Sequence, residues 1–213
     1  VGAGAVTGAD VVTVPASERG RRTRTALVRA AREVFEEKGF HEVRIADITT
    51  KAGTAYGSFY TYFDSKEAVF REIVQELADA VYTASRASDL PDASPEDKIR
   101  LVTRLYLETI ADNARLMFVF EQVAARDDYF RTLLLAVRDL FIARIAGGTK
   151  RLQEQGLAAP DLDPATCAAL LGGMIENIGR MMYTYGQRRD LDHLLDEATA
   201  LWSRAIGLRP GHP

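Results

Sequence analysis

Residues 44–63 read RIADITTKAGTAYGSFYTYF, and Asp64-Ser65-Lys66-Glu67 follow at once. Gly53 divides this stretch into two short segments. The first offers the small residues Ala46 and Ala52 as an inward face. In the second, Phe59, Tyr62 and Phe63 fall within one helical arc, while Tyr56 and Tyr60, four residues apart, fall on another. Two brief helices around a glycine turn, one face packed through Phe59 and Phe63 and the other presenting Tyr56, Gly57, Ser58, Tyr60 and Thr61, make a helix-turn-helix. The outward residue types suit a nucleic-acid duplex. Hydroxyls bond phosphate oxygens or base edges, a glycine admits close backbone approach, and aromatic rings lie against thymine methyls. The competing reading places all three tyrosines in the core.

Outward from this motif, apolar residues before it fall at helical spacing from Thr23 onward: Leu27, Ala30, Ala31, Val34 and Phe35. Gly39 then stands where a helix end favours positive φ. Ahead of that helix Arg19, Arg21, Arg22 and Arg24 crowd into six residues, either a solvated arm or a phosphate or minor-groove contact. After the motif, residues 64–67 form a carboxylate variant of the capping box and start a helix with the stripe Phe70, Ile73, Val74, Leu77 and Val81. Lys66 sits in its first turn, where a cation is misplaced for the helix dipole, so it is expected either to meet an external anion or to stand solvated.

Charge follows the same division. Residues 17–66 hold 10 basic and 7 acidic side chains, and the rest holds 17 and 23, so a module of +3 is joined to a body of −6. Residues 1–18, with Gly2, Gly4 and Gly8 but no preceding strand, are expected to be a flexible tail rather than a phosphate loop. The helix-turn-helix domain is then 19–64 and the second domain 65–213.

The second domain reads as further helices. Pro91 and Pro95 bracket a loop, and Ser94-Pro95-Glu96-Asp97 restarts a helix with the stripe Ile99, Val102, Tyr106 and Thr109 or Ile110. Residues 114–125 form a shorter one. Asp127-Asp128 begins a long helix through Phe130, Leu133, Leu134, Val137, Leu140, Phe141 and Ile145, expected to bend or weaken at Gly147-Gly148. Asp163-Pro164 caps a helix to about Gly186, and Leu191 to Ile206 carries the last amphipathic stripe. The fold class is all-α, with about nine helices and no strand.

The inventory argues against other functional classes. The longest apolar runs are about five residues against the roughly 20 that span a bilayer, so no membrane partner is expected. No charged n-region leads an apolar segment, and one cysteine, Cys167, points to a reducing cytoplasm. The histidines are His41, His193 and His212, and a single Asp190-x-x-His193 falls short of the paired motifs of a di-iron bundle. No Gly-x-Ser-x-Gly elbow is present. Neither a cofactor nor an enzymatic activity is expected. An all-α protein-binding adaptor is the remaining alternative, and it leaves the basic first module unexplained.

The string Ala52-Gly53, then Gly57-Ser58-Phe59-Tyr60-Thr61-Tyr62-Phe63, then Ser65-Lys66-Glu67, behind a helix ending in Gly39-Phe40, resembles the TetR family of transcriptional regulators. The resemblance implies binding of double-stranded operator DNA through Arg44, Thr54, Tyr56, Gly57, Ser58, Tyr60, Thr61 and Lys66. Ala55 stands where the family usually has serine, so capping of the recognition helix passes to Thr54. Arg44 replaces the common phosphate-touching threonine.

The resemblance further implies a homodimer through the last two helices and release from DNA by a small lipophilic effector. The sequence offers Gly172, Gly173, Leu195 and Trp202 for that interface, with intrachain packing as the alternative. For the effector pocket it offers Tyr106, Phe118, Glu121, Met174 and Asn177, with exposed polar faces as the alternative.

Overall fold

The computed structural model describes residues 17–85 and 93–209. Gly2, Gly4, Gly8, Pro91 and His212 lie outside them. Among the described residues there are nine α-helices and no strand. Within those residues no helix is long and apolar enough to cross a membrane. Two compact units divide at Val74 and Gln75.

In the first unit, α1 (Glu18–Lys38) starts five residues before Thr23, because the Ser17 hydroxyl accepts the Gly20 N–H at 3.1 Å. Arg19, Arg21, Arg22 and Arg24 are therefore helical residues, not an arm. Arginine is a good helix former, and the apolar spacing that signals the helix begins only at Leu27. The helix buries Leu27, Val28, Ala30, Ala31, Val34 and Phe35 and ends at Gly39, φ +76°, whose N–H bonds Phe35 O at 2.8 Å.

Helix α2 (Ile45–Lys51) opens with the Asp47 carboxylate accepting the Arg44 N–H at 2.9 Å and the Lys38 ammonium at 2.8 Å. Lys38 first, and then the Arg44 N–H, hold the Asp47 carboxyl below the ordinary carboxylate range. Its buried residues are Ile48 and Thr49, whereas Ala46, expected inside, is exposed.

Gly53 makes the turn at φ +65°, with nothing within 4 Å of where a Cβ would stand. A Cβ there meets no clash, so the main cost of a β-branched residue is the backbone conformation, about 1–2 kcal/mol. Gly53→Val is expected to lower thermal stability by that amount and Gly53→Asn by less. Equal stability of the valine variant would show that the turn relaxes to another conformation.

Helix α3 is the single turn Tyr56–Phe59. Its N-cap is Ala55, and Thr54 does not take over the capping: its Oγ1 is buried without a hydrogen-bond partner, while its N–H bonds Thr49 O at 3.0 Å. Helix α4 (Lys66–Ser85) is capped by Ser65, whose Oγ accepts the Ala68 N–H at 3.2 Å, rather than by Asp64. The stripe Phe70, Ile73, Val74, Leu77 and Val81 is buried as expected. Phe70 packs with Phe35 at 5.0 Å and Phe40 at 4.9 Å. That aromatic cluster ties the first half of α4 to the first unit, which is why the division falls inside α4 and not at residue 64.

In the second unit, α5 (Pro95–Asp112) is capped by Ser94, whose Oγ accepts the Asp97 N–H at 3.0 Å. It buries Thr103, Tyr106, Leu107 and Ile110; Ile99 and Val102, expected in the stripe, are half-buried. Helix α6 is Ala114–Ala124.

Helix α7 (Asp128–Glu154) runs unbroken through Gly147 and Gly148, although each glycine costs about 1 kcal/mol relative to alanine. It buries only Phe130, Phe141 and Thr149, and Leu140 is exposed.

Helix α8 (Pro164–Gly179) passes into a π-helical turn, Arg180–Thr184, and α9 (Leu191–Ala205) follows. Asp190 spends its carboxylate on the His193 N–H at 2.8 Å, so the Asp-x-x-His spacing is an N-cap. Residues 206–209 lie against the segment after α7, with Arg209 N–H to Leu157 O and Ala159 N–H to Ile206 O, both 2.9 Å.

Candidate functional site

The aromatic division within residues 56–63 is as the spacing requires. Phe59 and Phe63 are buried, Tyr62 is half-buried, and Tyr56 and Tyr60 are 54% and 49% exposed. The exposed pair forms one unit, with rings 5.7 Å apart, edge to face, and hydroxyls 3.2 Å apart. The bond to Tyr56, then desolvation, pushes the Tyr60 hydroxyl above its ordinary pKa, so it keeps its proton at neutral pH.

Gly57 and Thr61 are exposed beside them and Ser58 is half-buried. A Cβ on Gly57 would meet nothing within 4 Å, so no intrachain packing demands glycine there. The close approach it permits is toward something outside the chain. Arg44 is exposed at the start of α2, and Thr54 is half-buried with its hydroxyl enclosed.

Two cationic groups are occupied within the fold. The Lys66 ammonium donates to the carbonyls of Phe40 at 3.0 Å, Val43 at 3.2 Å and His41 at 3.4 Å, and lies 4.8 Å from the Phe40 ring centroid. An ammonium has three donors, and here three carbonyls face them. This replaces both the phosphate contact and the solvated lysine read from its helix position. Arg24 pairs with Glu72, with Nη1 to Oε1 at 2.6 Å, and stacks over Phe63 at 5.1 Å. It braces α1 against α4, whereas Arg19, Arg21 and Arg22 are exposed.

In the second unit a cavity of about 380 Å³ lies among α5, α7, α8 and α9. Its apolar wall includes Val102, Phe141, Ile145, Ile175, Trp202 and Ile206. None of Tyr106, Phe118, Glu121, Met174 and Asn177 lines it.

Phe118 and Asn177 face solvent, and Glu121 pairs with Arg180 at 3.0 Å. Met174 is half-buried away from the cavity. Tyr106 is buried and stacked on Phe141 at 4.7 Å, and desolvation, followed by the charges of Glu176 and Glu121, raises its pKa. The polar interruptions in apolar runs that suggested these residues are ion-paired or solvated surface.

The expected interface residues are also mostly internal. Leu195 and Trp202 are buried within the chain, and Gly172 is buried where a Cβ would stand 2.8 Å from Ile142 Cδ1. Gly173 is half-buried near Arg138. The small residues on α8 admit side chains of this same chain: Gly172 and Gly173 those of α7, and Gly179 those of α5. The unpartnered apolar side chains of the last two helices are Leu170, 70% exposed, and Leu201, 49% exposed. Both faces of α8 and α9 carry apolar residues, so helical spacing alone does not separate the face buried within the chain from the exposed one.

Residues 27–73 match the family described as "Bacterial regulatory proteins, tetR family". The chain is 30% identical over 176 residues to the HTH-type transcriptional repressor DhaR of Mycobacterium sp. (strain GP1), covering 81% of this chain and 88% of DhaR. Among solved structures, the fatty acid degradation regulator FadR from Bacillus halodurans aligns with a TM-score of 0.72 at 20% identity, over 88% of this chain and 97% of that one. A protein from Saccharomonospora viridis in complex with choline aligns with a TM-score of 0.74 at 20% identity, over 88% and 98%. The exposed helix-turn-helix surface and these likenesses agree: the chain belongs to the TetR family of bacterial regulatory proteins and is a helix-turn-helix transcriptional regulator.

Proposed function

We propose that the chain is a homodimeric repressor of the bacterial cytoplasm, released from double-stranded operator DNA by a small molecule held in the second-unit cavity. The observation that carries this reading is the presence in one chain of an unpacked tyrosine–glycine surface on α3 and a cavity of about 380 Å³, within the usual size range of small-molecule sites. Tyr56, Gly57, Ser58, Tyr60 and Thr61 meet the major groove, and Arg44 reaches a phosphate at the start of α2. The printed name of DhaR as a repressor and the choline held by the Saccharomonospora viridis protein support the two halves of the reading.

Signal transfer has a physical route inside the second unit. The Arg144 guanidinium, a cavity-wall group on α7, lies 5.9 Å from the ring of Tyr82 on α4. An occupant that favours one placement of α7 therefore biases α4. Only a ligand with different affinities for two arrangements shifts their populations.

Two recognition helices must match successive major grooves about 34–36 Å apart, so DNA binding depends on the dimer. Its interface uses the outer faces of α8 and α9, through Leu170 and Leu201. Leu170→Glu with Leu201→Glu is expected to shift sedimentation to the monomer and to weaken operator binding at least about tenfold, because one half-site supplies only part of the contact energy. A double variant that stays dimeric removes this interface.

A further inference from the structure

We propose that the effector is an amphipathic carboxylate, an apolar body carrying one anionic group, with the anion held by Lys98 and Arg151. The inference rests on the effector reading above and narrows it to one chemical class.

The cavity lining includes Lys98, Arg151 and the Tyr82-facing Arg144 and, among the described residues, no aspartate or glutamate. That is unlike its surroundings, since outside residues 17–66 acids outnumber bases 23 to 17. Neighbouring arginines of the same unit are neutralised: Arg100 by Asp196 at 2.9 Å, Arg138 by Glu176 at 2.9 Å and Arg180 by Glu121 at 3.0 Å. No carboxylate among the described residues pairs with Lys98 or Arg151.

The charges and the apolar wall occupy different depths. Phe141, Ile175, Trp202 and Ile206 are buried, whereas Lys98 and Arg144 are half-buried and Arg151 and Gln155 are exposed. Buried polar groups of the wall are already used. The Thr103 hydroxyl donates to Ile99 O at 2.8 Å and the Thr149 hydroxyl to Ile145 O at 3.2 Å. An occupant's polar group is thus directed to the cationic mouth, and its apolar part to the interior.

Arg144 and Arg151 are two turns apart on one face of α7. The Arg151 guanidinium lies 3.6 Å from a Cβ built on Gly147 and 3.9 Å from one built on Gly148, so it rests along bare helix backbone at the cavity edge.

Trp202 is the only tryptophan in the sequence and it lines the cavity, so its fluorescence reads occupancy at the site itself. The test titrates the full chain with decanoate, 1-decanol and decyltrimethylammonium, and measures operator affinity in the same samples. Decanoate is expected to change the fluorescence saturably and to bind at least about tenfold tighter than decanol, with no competition from the ammonium. In Lys98→Gln and Arg151→Gln the preference for decanoate over decanol shrinks by about tenfold. Circular dichroism of both variants checks that the fold is intact.

Equal binding of decanoate and decanol, tighter binding of the ammonium, or no response to any of the three overturns the inference. Decanoate binding that leaves operator affinity unchanged supports the charge reading and overturns the effector role of the cavity. Operator release by a neutral or cationic molecule, with decanoate inert, does the reverse.

Discussion

Phe59→Ala is expected to destabilise the first unit by about 3–5 kcal/mol and to abolish operator binding, while Tyr60→Ala, one residue along, leaves its melting almost unchanged. Phe59 is fully buried, 5.6 Å from the Phe63 ring and 5.7 Å from Tyr60. Helix α3 is a single turn whose four residues cannot hold a helix by backbone bonds alone, so this ring is what fixes it to the rest of the unit. A loss of that size is a large share of the roughly 5–15 kcal/mol that holds a domain together.

Tyr60 is half exposed and, among the described residues, its hydroxyl bonds only that of Tyr56, so truncation costs stability within about 0.5 kcal/mol. Operator affinity falls all the same, by about 1–3 kcal/mol, as expected for a group that meets base edges or backbone directly. Thermal melts followed by circular dichroism, beside a gel-shift titration at fixed salt, separate the two variants. Native melting of Phe59→Ala would show that α3 is held some other way, and full operator affinity of Tyr60→Ala would remove this face of α3 from the interface.

The contrast between neighbouring residues also explains what the sequence makes legible. The helix-turn-helix is local: Gly53, the 56/60 and 59/63 spacings and the following cap lie within about twenty residues, where helical periodicity translates directly into inside and outside. The start of α1 was hidden because arginines form helix well without contributing to an apolar period. The second unit is different in kind. Its cavity is lined from Lys98 on α5 to Ile206 after α9, and which face of α8 turns inward depends on Ile142 of α7 packing against Gly172. Helices apolar on both sides carry no one-dimensional record of that choice. Charge is the feature that distinguishes the cavity lining, with Lys98, Arg144 and Arg151 and no carboxylate among its described residues, whereas Glu121 pairs with Arg180 and Asn177 faces water.

Lys66 shows how a side chain's position in its own helix misleads when a second element supplies its partners. In the first turn of α4 a cation opposes the helix dipole by a few tenths of a kcal/mol, which argued for an external anion. The partners are instead three carbonyls just after α1, left without intrahelical donors where the chain turns into α2. Hydrogen bonds from a charged donor contribute about 1.5–3 kcal/mol each when enclosed; with the site part-exposed, Lys66→Met is expected to cost about 2–4 kcal/mol in total.

The two occupations of Lys66 differ in a second observable. A phosphate contact, when lost, lowers the slope of log affinity against log salt by about one. A brace, when lost, lowers the melting temperature and leaves the slope of the remaining folded protein unchanged, because the same phosphates are neutralised in the native state. Lys66→Met is therefore expected to melt earlier with an unaltered salt slope. Native stability combined with a slope reduced by one would return Lys66 to the DNA interface and leave the carbonyls of Phe40, His41 and Val43 to water.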